Sequence, residues 1–349
     1  MALVMALFLK HFVVEAYKIP TGSMQPTLIG DEQADIKDRI LVDKLSYVLR
    51  APERWEVAVF RYPLDRSKSF VKRIAGVGPE ELRILHGDLW ARANETEPWR
   101  LLRRPPAVMR AQWKRLDAEH EEQSHWIPQN LPASSRWSAS GRALEARGSG
   151  TAAFRGGRES LVDGYLDGYP EELVPWMPAH GRDSGANPVG DLRVEGTLSA
   201  LSGCERFAVV LQEGPRRYRF ELAGPAARAD ERTRIDAGPS ARPTADAAAE
   251  TDYRLSAGTR VRFAVQNLDD RLALELDGRE LLALEIEPAE DQTSSVVLQL
   301  EGEGADLAEL MVYRDIYYTT NTGQPWQIPA GQYFMLGDNT QDSSDSREW

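Results

Sequence analysis

The sequence places a serine in a turn stiffened by glycine and proline, directly after an apolar N-terminal segment. The turn runs Pro20-Thr21-Gly22-Ser23-Met24-Gln25-Pro26-Thr27-Leu28. Serine in a turn usually makes only a backbone hydrogen bond, so Ser23 needs partners before it can act as a nucleophile. The sequence offers two: Lys72, and the run from Gly337 to Arg347, which is rich in serine and aspartate.

Lys72 is the candidate base. Side chains alternate between the two faces of a strand, so Lys72 shares a face with Phe70 and Ile74. These apolar neighbours favour the neutral amine, because burial disfavours the ammonium form. A base near neutral pH needs that effect, since the ordinary pKa of lysine is about 10.4. The alternative is a lysine that protects the edge of a sheet, and the sequence alone supports both interpretations equally.

Histidine offers no competing mechanism. The five histidines lie outside any recognisable nucleophile or metal setting. His120 and His125 are five residues apart, whereas a zinc helix needs two histidines four residues apart on one face. We therefore expect neither a metal nor a cofactor.

Composition narrows the class of protein. The net charge of −12 argues against a broad nucleic-acid-binding surface. The single cysteine, Cys204, cannot form an internal disulfide. The 349 residues are enough for two domains, or for one domain that carries a large insertion. All seven lysines lie in the first third of the chain, which indicates that this third and the long middle differ in character.

Short strands must position the candidate residues. Apolar and β-branched runs bounded by turn residues predict strands over residues 39–42, 57–60, 69–75 and 82–85. A last strand, over 331–336, would deliver the Gly337-Asp338-Asn339 turn. Residues 93–132 lack this regularity, and we predict an irregular covering segment with some helix.

The residue pattern in the middle of the chain predicts a β-sandwich. From residue 133 to 318, apolar and polar residues alternate at period two between turns, which is typical of packed antiparallel sheets. We expect residues 225–249 to be an exposed loop and residues 311–318 to be the closing strand. Further strands are predicted over 206–211, 217–222, 260–265, 272–276 and 295–300.

The N-terminal segment, Met1 to Val14, is apolar except for Lys10 and His11. A bilayer span needs about 20 apolar residues, and a cleaved export signal carries its positive charge before the apolar run. We predict that residues 1–16 are the outer half of a transmembrane helix, and that the natural chain extends beyond both ends of this sequence. A buried core helix or an interfacial anchor is the alternative.

Taken together, these blocks resemble the type I signal peptidases, membrane-anchored serine–lysine proteases that remove export signals. The resemblance covers residues 1 to about 90 and about 325 to 349, with its blocks in the family's order. Two features depart from the family: Val77-Gly78-Pro79 stands where Leu-Pro-Gly is usual, and residues 133–318 are a large insertion similar to a concanavalin-type sandwich. The matching blocks are residues 19–28, 38–42, 57–63, 71–73 and 337–347.

The resemblance implies a role for each site residue. Ser23 would be the nucleophile and Lys72 the general base, while the Ser23 N–H and the Thr21 hydroxyl would hold the oxyanion. Ser343 would orient the lysine amine, and an Asp345–Arg347 ion pair would brace that loop. Substrate would bind in an extended conformation beside the strands. Its small side chains at the first and third positions before the cut would enter pockets near Ile19, Pro20, Met24, Leu28, Phe70 and Val71.

The implied fold is mainly β: a discontinuous peptidase domain, residues 17–92 and 319–349, split by the sandwich. The implied activity is a serine endopeptidase that removes signal peptides from exported preproteins on the outer side of the cell membrane, so signal peptides and the lipid bilayer are expected partners. One alternative is a self-cleaving Ser-Lys protease of the repressor type, and another is a non-catalytic lectin-like protein whose sandwich binds a glycan or a protein. For the sandwich itself we favour a structural spacer.

Overall fold

The computed structural model describes residues 12–116, 124–157, 160–170, 172–176, 185, 187–238, 248–288 and 293–349. The described strands, β1 to β26, pair in antiparallel sheets, so the chain is mainly β as predicted. The chain divides into two compact units. The first comprises residues 1–113, 168–183 and 316–349, and the second comprises residues 114–167 and 184–315.

In its described residues, the first unit contains four small sheets and two short α-helices. Two sheets are strand pairs: β1 (Val14–Lys18) with β4 (Arg39–Asp43), and β2 (Gly30–Asp31) with β3 (Ile36–Lys37). The third has the order β26 (Tyr333–Leu336), β6 (Ser69–Val77), β5 (Val57–Arg61). The fourth has the order β25 (Trp326–Ile328), β7 (Glu80–Leu85), β8 (Asp88–Arg92), β9 (Arg100–Leu101). The helices are α1 (Ser46–Leu49) and α2 (Pro106–Gln112).

The strands predicted for the first unit are confirmed as β4, β5, β6, β7 and β26. β6 is the middle strand of its sheet, because β5 and β26 pair with its two edges. Lys72 therefore does not protect a sheet edge. A core of buried apolar side chains packs between the sheets and includes Trp55, Leu82, Phe334 and Leu336.

The predicted transmembrane helix over residues 1–16 is wrong where the structure describes it. Residues 1–11 lie outside the described part of the chain, but Val14 to Ala16 belong to β1 and pair with Asp43 to Leu41 of β4. A β-branched residue such as Val14 favours an extended backbone, and β4 supplies the hydrogen-bonding partner. In the described ranges, no helix combines the length and the apolar character that a bilayer crossing requires.

The second unit is a sandwich of two antiparallel sheets whose inward side chains share one apolar core. The first sheet has the order β12 (Arg136–Ser140), β13 (Ala143–Arg147), β24 (Gly304–Arg314), β15 (Leu192–Ala200), β20 (Arg260–Leu268), β21 (Arg271–Leu276), β22 (Arg279–Glu285), and β10 (Lys114–Arg115) also pairs with β24. The second has the order β11 (Trp126–Gln129), β14 (Gly150–Phe154), β23 (Ser294–Gly302), β16 (Cys204–Glu213), β17 (Arg216–Ala223), β18 (Thr233–Asp236), β19 (Ala248–Thr251).

Two details of the sandwich prediction are wrong, although the remaining predicted strands are confirmed. Residues 225–249 are not a single loop, because they contain β18, where Thr233 and Ile235 are fully buried. The closing strand β24 ends at Arg314 instead of continuing to residue 318. The physical reason is that Ile316 and Tyr318 are buried in the core of the first unit. The predicted domain boundaries themselves stay a prediction.

Candidate active site

Ser23 lies in a short buried 3-10 turn, Gly22–Met24. Its side chain is 6% exposed, and Met24 beside it is fully buried. The Asn339 N–H donates a hydrogen bond of 3.1 Å to the Ser23 carbonyl oxygen. The loop that follows β26 thus fixes the backbone of the candidate nucleophile.

Lys72 meets Ser23 directly. Its Nζ donates a hydrogen bond of 2.7 Å to Ser23 Oγ, and the lysine is only 4% exposed. Burial lowers the pKa of the Lys72 amine, although the negative charges of Asp345 and two other aspartates act in the opposite direction. The structure therefore brings together the two residues predicted to be nucleophile and base, and it places the amine where its neutral form is favoured.

Gly337 allows the loop after β26 to pack closely against the backbone of Ser23. A Cβ atom at this position would lie 2.1 Å from Ser343 Oγ and 2.5 Å from the carbonyl oxygen of Ser23. Both distances are far shorter than van der Waals contact, so the residue must be glycine for Ser23 and the loop to keep their positions.

The predicted ion pair between Asp345 and Arg347 is present, with Nε to Oδ1 at 2.8 Å and Nη2 to Oδ2 at 2.9 Å. Asp345 is fully buried and also accepts the Gly337 N–H at 3.0 Å. Ser343 differs from its predicted role: its Oγ donates to Asp345 Oδ2 at 2.7 Å, and in the described residues no hydrogen bond joins it to Lys72. The Asp345 carboxylate accepts the Ser343 hydroxyl, so the Ser343 side chain stabilises the loop.

A buried ion pair that the sequence analysis missed lies on the opposite face of β6. Arg73 donates to Asp338 at 2.8 Å and 2.6 Å, and the two side chains are 4% and 0% exposed. Asp338 also accepts hydrogen bonds from Thr27 Oγ1 at 2.5 Å and from Gln112 Nε2 at 2.9 Å. This network ties β6, the serine turn and α2 to the same carboxylate.

A signal for part of this network existed in the sequence. Arg73 follows Lys72, so strand alternation places it on the other face of β6. Its partner Asp338 is 265 residues away, and no local pattern connects residues at that separation. Gln112 carried no signal, because it lies in a segment whose role the sequence did not indicate.

Comparison with known proteins identifies the family. The family model described as "Signal peptidase, peptidase S26" matches residues 1–132 and 265–349, which is more than half of the chain. The chain belongs to this family. The sequence blocks around Ser23, Lys72 and Gly337 all lie in the residues that the peptidase S26 family model matches.

Curated relatives of this family member match over a shorter stretch. A probable signal peptidase I-2 of Synechocystis is 40% identical over 95 residues, which is 26% of this chain and 40% of the relative. The signal peptidase I of Pseudomonas fluorescens is 39% identical over 93 residues, covering 23% of this chain and 31% of the relative. The chain thus spans less than half the length of these relatives.

Solved structures align with this family member only loosely. The galectin LEC-6 of Caenorhabditis elegans aligns over 36% of this chain and 82% of its own, with 8% identity and a TM-score of 0.28. The carbohydrate binding module CBM66 of Bacillus subtilis aligns over 56% of this chain and 99% of its own, with 10% identity and a TM-score of 0.33. Scores this low do not assign a fold.

The residues predicted to line substrate pockets in this S26 member differ in exposure. Ile19 and Met24 are buried, at 3% and 0% exposure. Leu28, Phe70 and Val71 are half-buried, whereas Pro20 and Thr21 are exposed. Their contact with substrate stays a prediction.

Aromatic rings shield one side of the lysine. The Phe70 ring centre lies 5.7 Å from Lys72 Nζ. Tyr62 stacks on Phe70 with 4.4 Å between ring centres and 11° between planes, and Trp349 meets Tyr62 edge-on at 5.4 Å. This stack holds an apolar surface against the amine and keeps water from that side.

An apolar cavity of about 700 Å³ borders Ile74, which shares the Lys72 face of β6. Ala58, Tyr333 and Trp349 are among its lining residues, and no lining side chain is charged. The cavity therefore suits an apolar group. Among the described residues, no cluster of metal-ligating side chains gathers around Ser23 and Lys72.

Proposed function

We propose that this protein is a serine endopeptidase that removes signal peptides from exported preproteins. The observation that carries the proposal is the 2.7 Å hydrogen bond between Ser23 Oγ and a buried lysine amine. A lysine can serve as a base near neutral pH only if its amine loses its proton readily, and burial favours that. Membership of the peptidase S26 family supports the same activity.

In the proposed reaction, neutral Lys72 accepts the proton of Ser23 Oγ as this oxygen attacks the carbonyl carbon of the scissile bond. The tetrahedral intermediate collapses when the protonated amine of Lys72 gives its proton to the leaving nitrogen. Lys72, neutral again, then accepts a proton from the water that attacks the acyl-serine, and it returns this proton to Ser23 Oγ as the ester bond breaks. One amine thus serves as base and acid in turn, as histidine does in the Ser-His-Asp enzymes.

The oxyanion would be held by the Ser23 N–H and the Thr21 hydroxyl. Thr21 precedes the turn with an extended backbone, and its side chain makes no capping hydrogen bond to that turn. Because the side chain is exposed, its hydroxyl is accessible to a bound substrate. Donors of this kind typically contribute a factor of about 10²–10³ to the rate.

We further propose that the protein acts at the outer surface of the cell membrane. The apolar sequence of residues 1–14 supports this location. Leu41, Val48 and Leu49 support it as well, since these apolar side chains in the first unit are 77%, 78% and 83% exposed. Exposed apolar side chains close together in sequence suit contact with lipid.

The alternatives have less support. A self-cleaving protease of the repressor type would cut its own chain, and the lectin-like alternative gives no reason for a buried lysine beside a serine. In the sandwich, outward-facing charges neutralise one another: Arg193 pairs with Glu275 at 2.8 Å, and Arg234 pairs with Glu221 at 2.8 Å. We therefore retain the structural spacer as the proposed role of the second unit.

The test is cleavage in trans of a purified precursor that carries alanine at the first and third positions before the bond. We expect one cut, directly after the first of these positions. Replacing that alanine by phenylalanine should lower kcat/KM by about 100-fold or more, because a bulky side chain does not fit a small pocket. Cleavage of the protein itself without precursor cleavage would favour the repressor-type alternative, and no cleavage of either would favour the binding protein.

Replacing Tyr62 by alanine should move the pH profile of the reaction. Without the stacked ring, water reaches the Phe70 side of Lys72 and the pKa of its amine rises. The rise of kcat/KM with pH should then shift to higher pH, with a loss of roughly tenfold at neutral pH and little loss at alkaline pH. Tyr62→Phe keeps the stack and should behave as the wild type. Coincident profiles for Tyr62→Ala and Tyr62→Phe would show that the stack does not influence the amine.

A further inference from the structure

The outward face of the β25-β7-β8-β9 sheet holds an arginine between two tryptophans. Arg83 on β7 lies directly opposite Trp90 on β8. Its guanidinium carbon is 5.7 Å from the ring centre of Trp90 and 4.3 Å from that of Trp99. Arginine stacked on aromatic faces keeps its in-plane N–H groups available for a ligand.

Arg83 has no carboxylate partner among the residues that the structure describes. The contrast with Arg92 is direct: it also stacks on Trp99, at 4.6 Å, but forms an ion pair with Glu81 at 2.5 Å. Arg92 is therefore neutralised, whereas the positive charge of Arg83 is not.

Two buried N–H groups at this place lack acceptors. Within the described ranges, neither Arg83 Nε nor Trp90 Nε1 has a hydrogen-bond partner, although both atoms are buried. A buried donor without an acceptor is destabilising, and such groups are rare in folded proteins unless water or an ion satisfies them. Cross-strand neighbours lie close together on one face of a sheet, so one ligand can reach both donors.

We propose that Arg83, Trp90 and Trp99 form a binding site for a phosphate group. A phosphate carries several acceptor oxygens pointing in different directions, so it can accept from the guanidinium and from the indole at once. The planar guanidinium fork matches phosphate oxygens in two parallel hydrogen bonds. The phosphate is supplied either by a soluble phosphorylated molecule or by a phospholipid headgroup. This site is separate from Ser23 and Lys72, and it does not depend on the proposed peptidase activity.

The test follows the indole N–H signals in ¹H–¹⁵N spectra during titration with inorganic phosphate at constant ionic strength, balanced with chloride. Trp90→Phe identifies the Trp90 signal. We expect that signal to move saturably with phosphate in the wild type. Arg83→Gln should raise the midpoint by about tenfold or more, the loss expected for one charge-assisted hydrogen bond. Arg83→Lys keeps the charge without the fork and should fall between the two.

Arg66→Gln is the matched control, because Arg66 is an exposed arginine of the same unit and the change in charge is the same. Its midpoint should equal that of the wild type. A Trp90 signal that does not move, that moves equally with chloride, or that keeps its midpoint in Arg83→Gln would overturn the proposal. The stack would then serve only to stiffen the β7–β8 pair.

Vesicles distinguish the two sources of phosphate. If the headgroup is the ligand, Arg83→Gln should bind phosphatidylglycerol vesicles several-fold more weakly than the wild type, and inorganic phosphate should compete. If the ligand is soluble, both proteins should bind the vesicles equally while the phosphate titration still separates them. If Arg83→Gln and the wild type have the same phosphate midpoint and the same affinity for the vesicles, the proposed site is contradicted.

Discussion

Ser23→Ala and Lys72→Met should each lower kcat/KM for a precursor by about 10⁴-fold or more. The 2.7 Å hydrogen bond makes each group depend on the other: the alcohol is a weak nucleophile without its base, and the base has no proton to accept without the alcohol. The double variant should therefore be no slower than the slower single variant. Rates of precursor cleavage by the three purified variants measure this.

Lys68→Met is the control for the loss of a lysine. Lys68 lies four residues before Lys72 and is 65% exposed, so its replacement should leave the rate within about twofold of the wild type. A Lys72→Met protein that is folded and cleaves at more than a tenth of the wild-type rate would remove Lys72 from the mechanism. Circular dichroism and thermal unfolding establish that each variant is folded.

Lys72→Met should also change how the free energy of unfolding depends on pH. Because the pKa of Lys72 is lowered in the folded protein by burial, the unfolded chain binds more protons at any pH between the folded value and the ordinary value of about 10.4. Wild-type stability should therefore rise with pH across that window. Lys72→Met removes this contribution and should increase the free energy of unfolding at neutral pH by about 0.5–2 kcal/mol, as measured by urea titration.

Asp338→Ala should destabilise the first unit by about 3–5 kcal/mol, the usual cost of removing one partner from a buried ion pair. The Arg73 side chain is only 4% exposed, so the substitution leaves a buried guanidinium without its counter-charge. It also removes the acceptor for Gln112 Nε2. Catalysis should fall with stability, because β6 carries Arg73 on one face and Lys72 on the other. Urea unfolding followed by signals from each unit measures the change.

The control for Asp338 is an exposed ion pair in the same unit. Asp35 accepts a hydrogen bond of 2.7 Å from Lys37, but its side chain is 87% exposed. Asp35→Ala should change the free energy of unfolding by less than about 0.5 kcal/mol. If Asp338→Ala costs as little as this control, the buried network does not stabilise the sheet. Arg73→Met combined with Asp338→Leu should recover part of the loss, since no buried charge then remains.

The strands could be predicted from the sequence because each corresponds to a pattern of neighbouring residues. Apolar and β-branched runs between turn residues located β5, β6 and β7, and strand alternation placed Lys72 between apolar neighbours on one face. The serine turn was recognisable from its glycine and prolines. These features depend on residues a few positions apart, and that is the range over which a sequence pattern is informative.

The missed features depend on contacts that only the folded chain creates. Val14 favours an extended backbone, but it belongs to a strand only because Asp43 and its neighbours pair with its segment. Ser343 turns to Asp345 since the folded loop brings the carboxylate within 2.7 Å. Likewise, β18 lies in a polar stretch whose strand forms by pairing with β17 and β19.

The insertion separates the two parts of the candidate active site in the chain, and Asp338 lies 311 positions after Thr27. A ribosome adds about 5–20 residues per second, so Asp338 emerges roughly a quarter of a minute to a minute after Thr27. Throughout that interval the Ser23 carbonyl has no Asn339 N–H to hold it, and Arg73 has no counter-charge. Translation therefore delays assembly of the candidate site until after the sandwich has been synthesised.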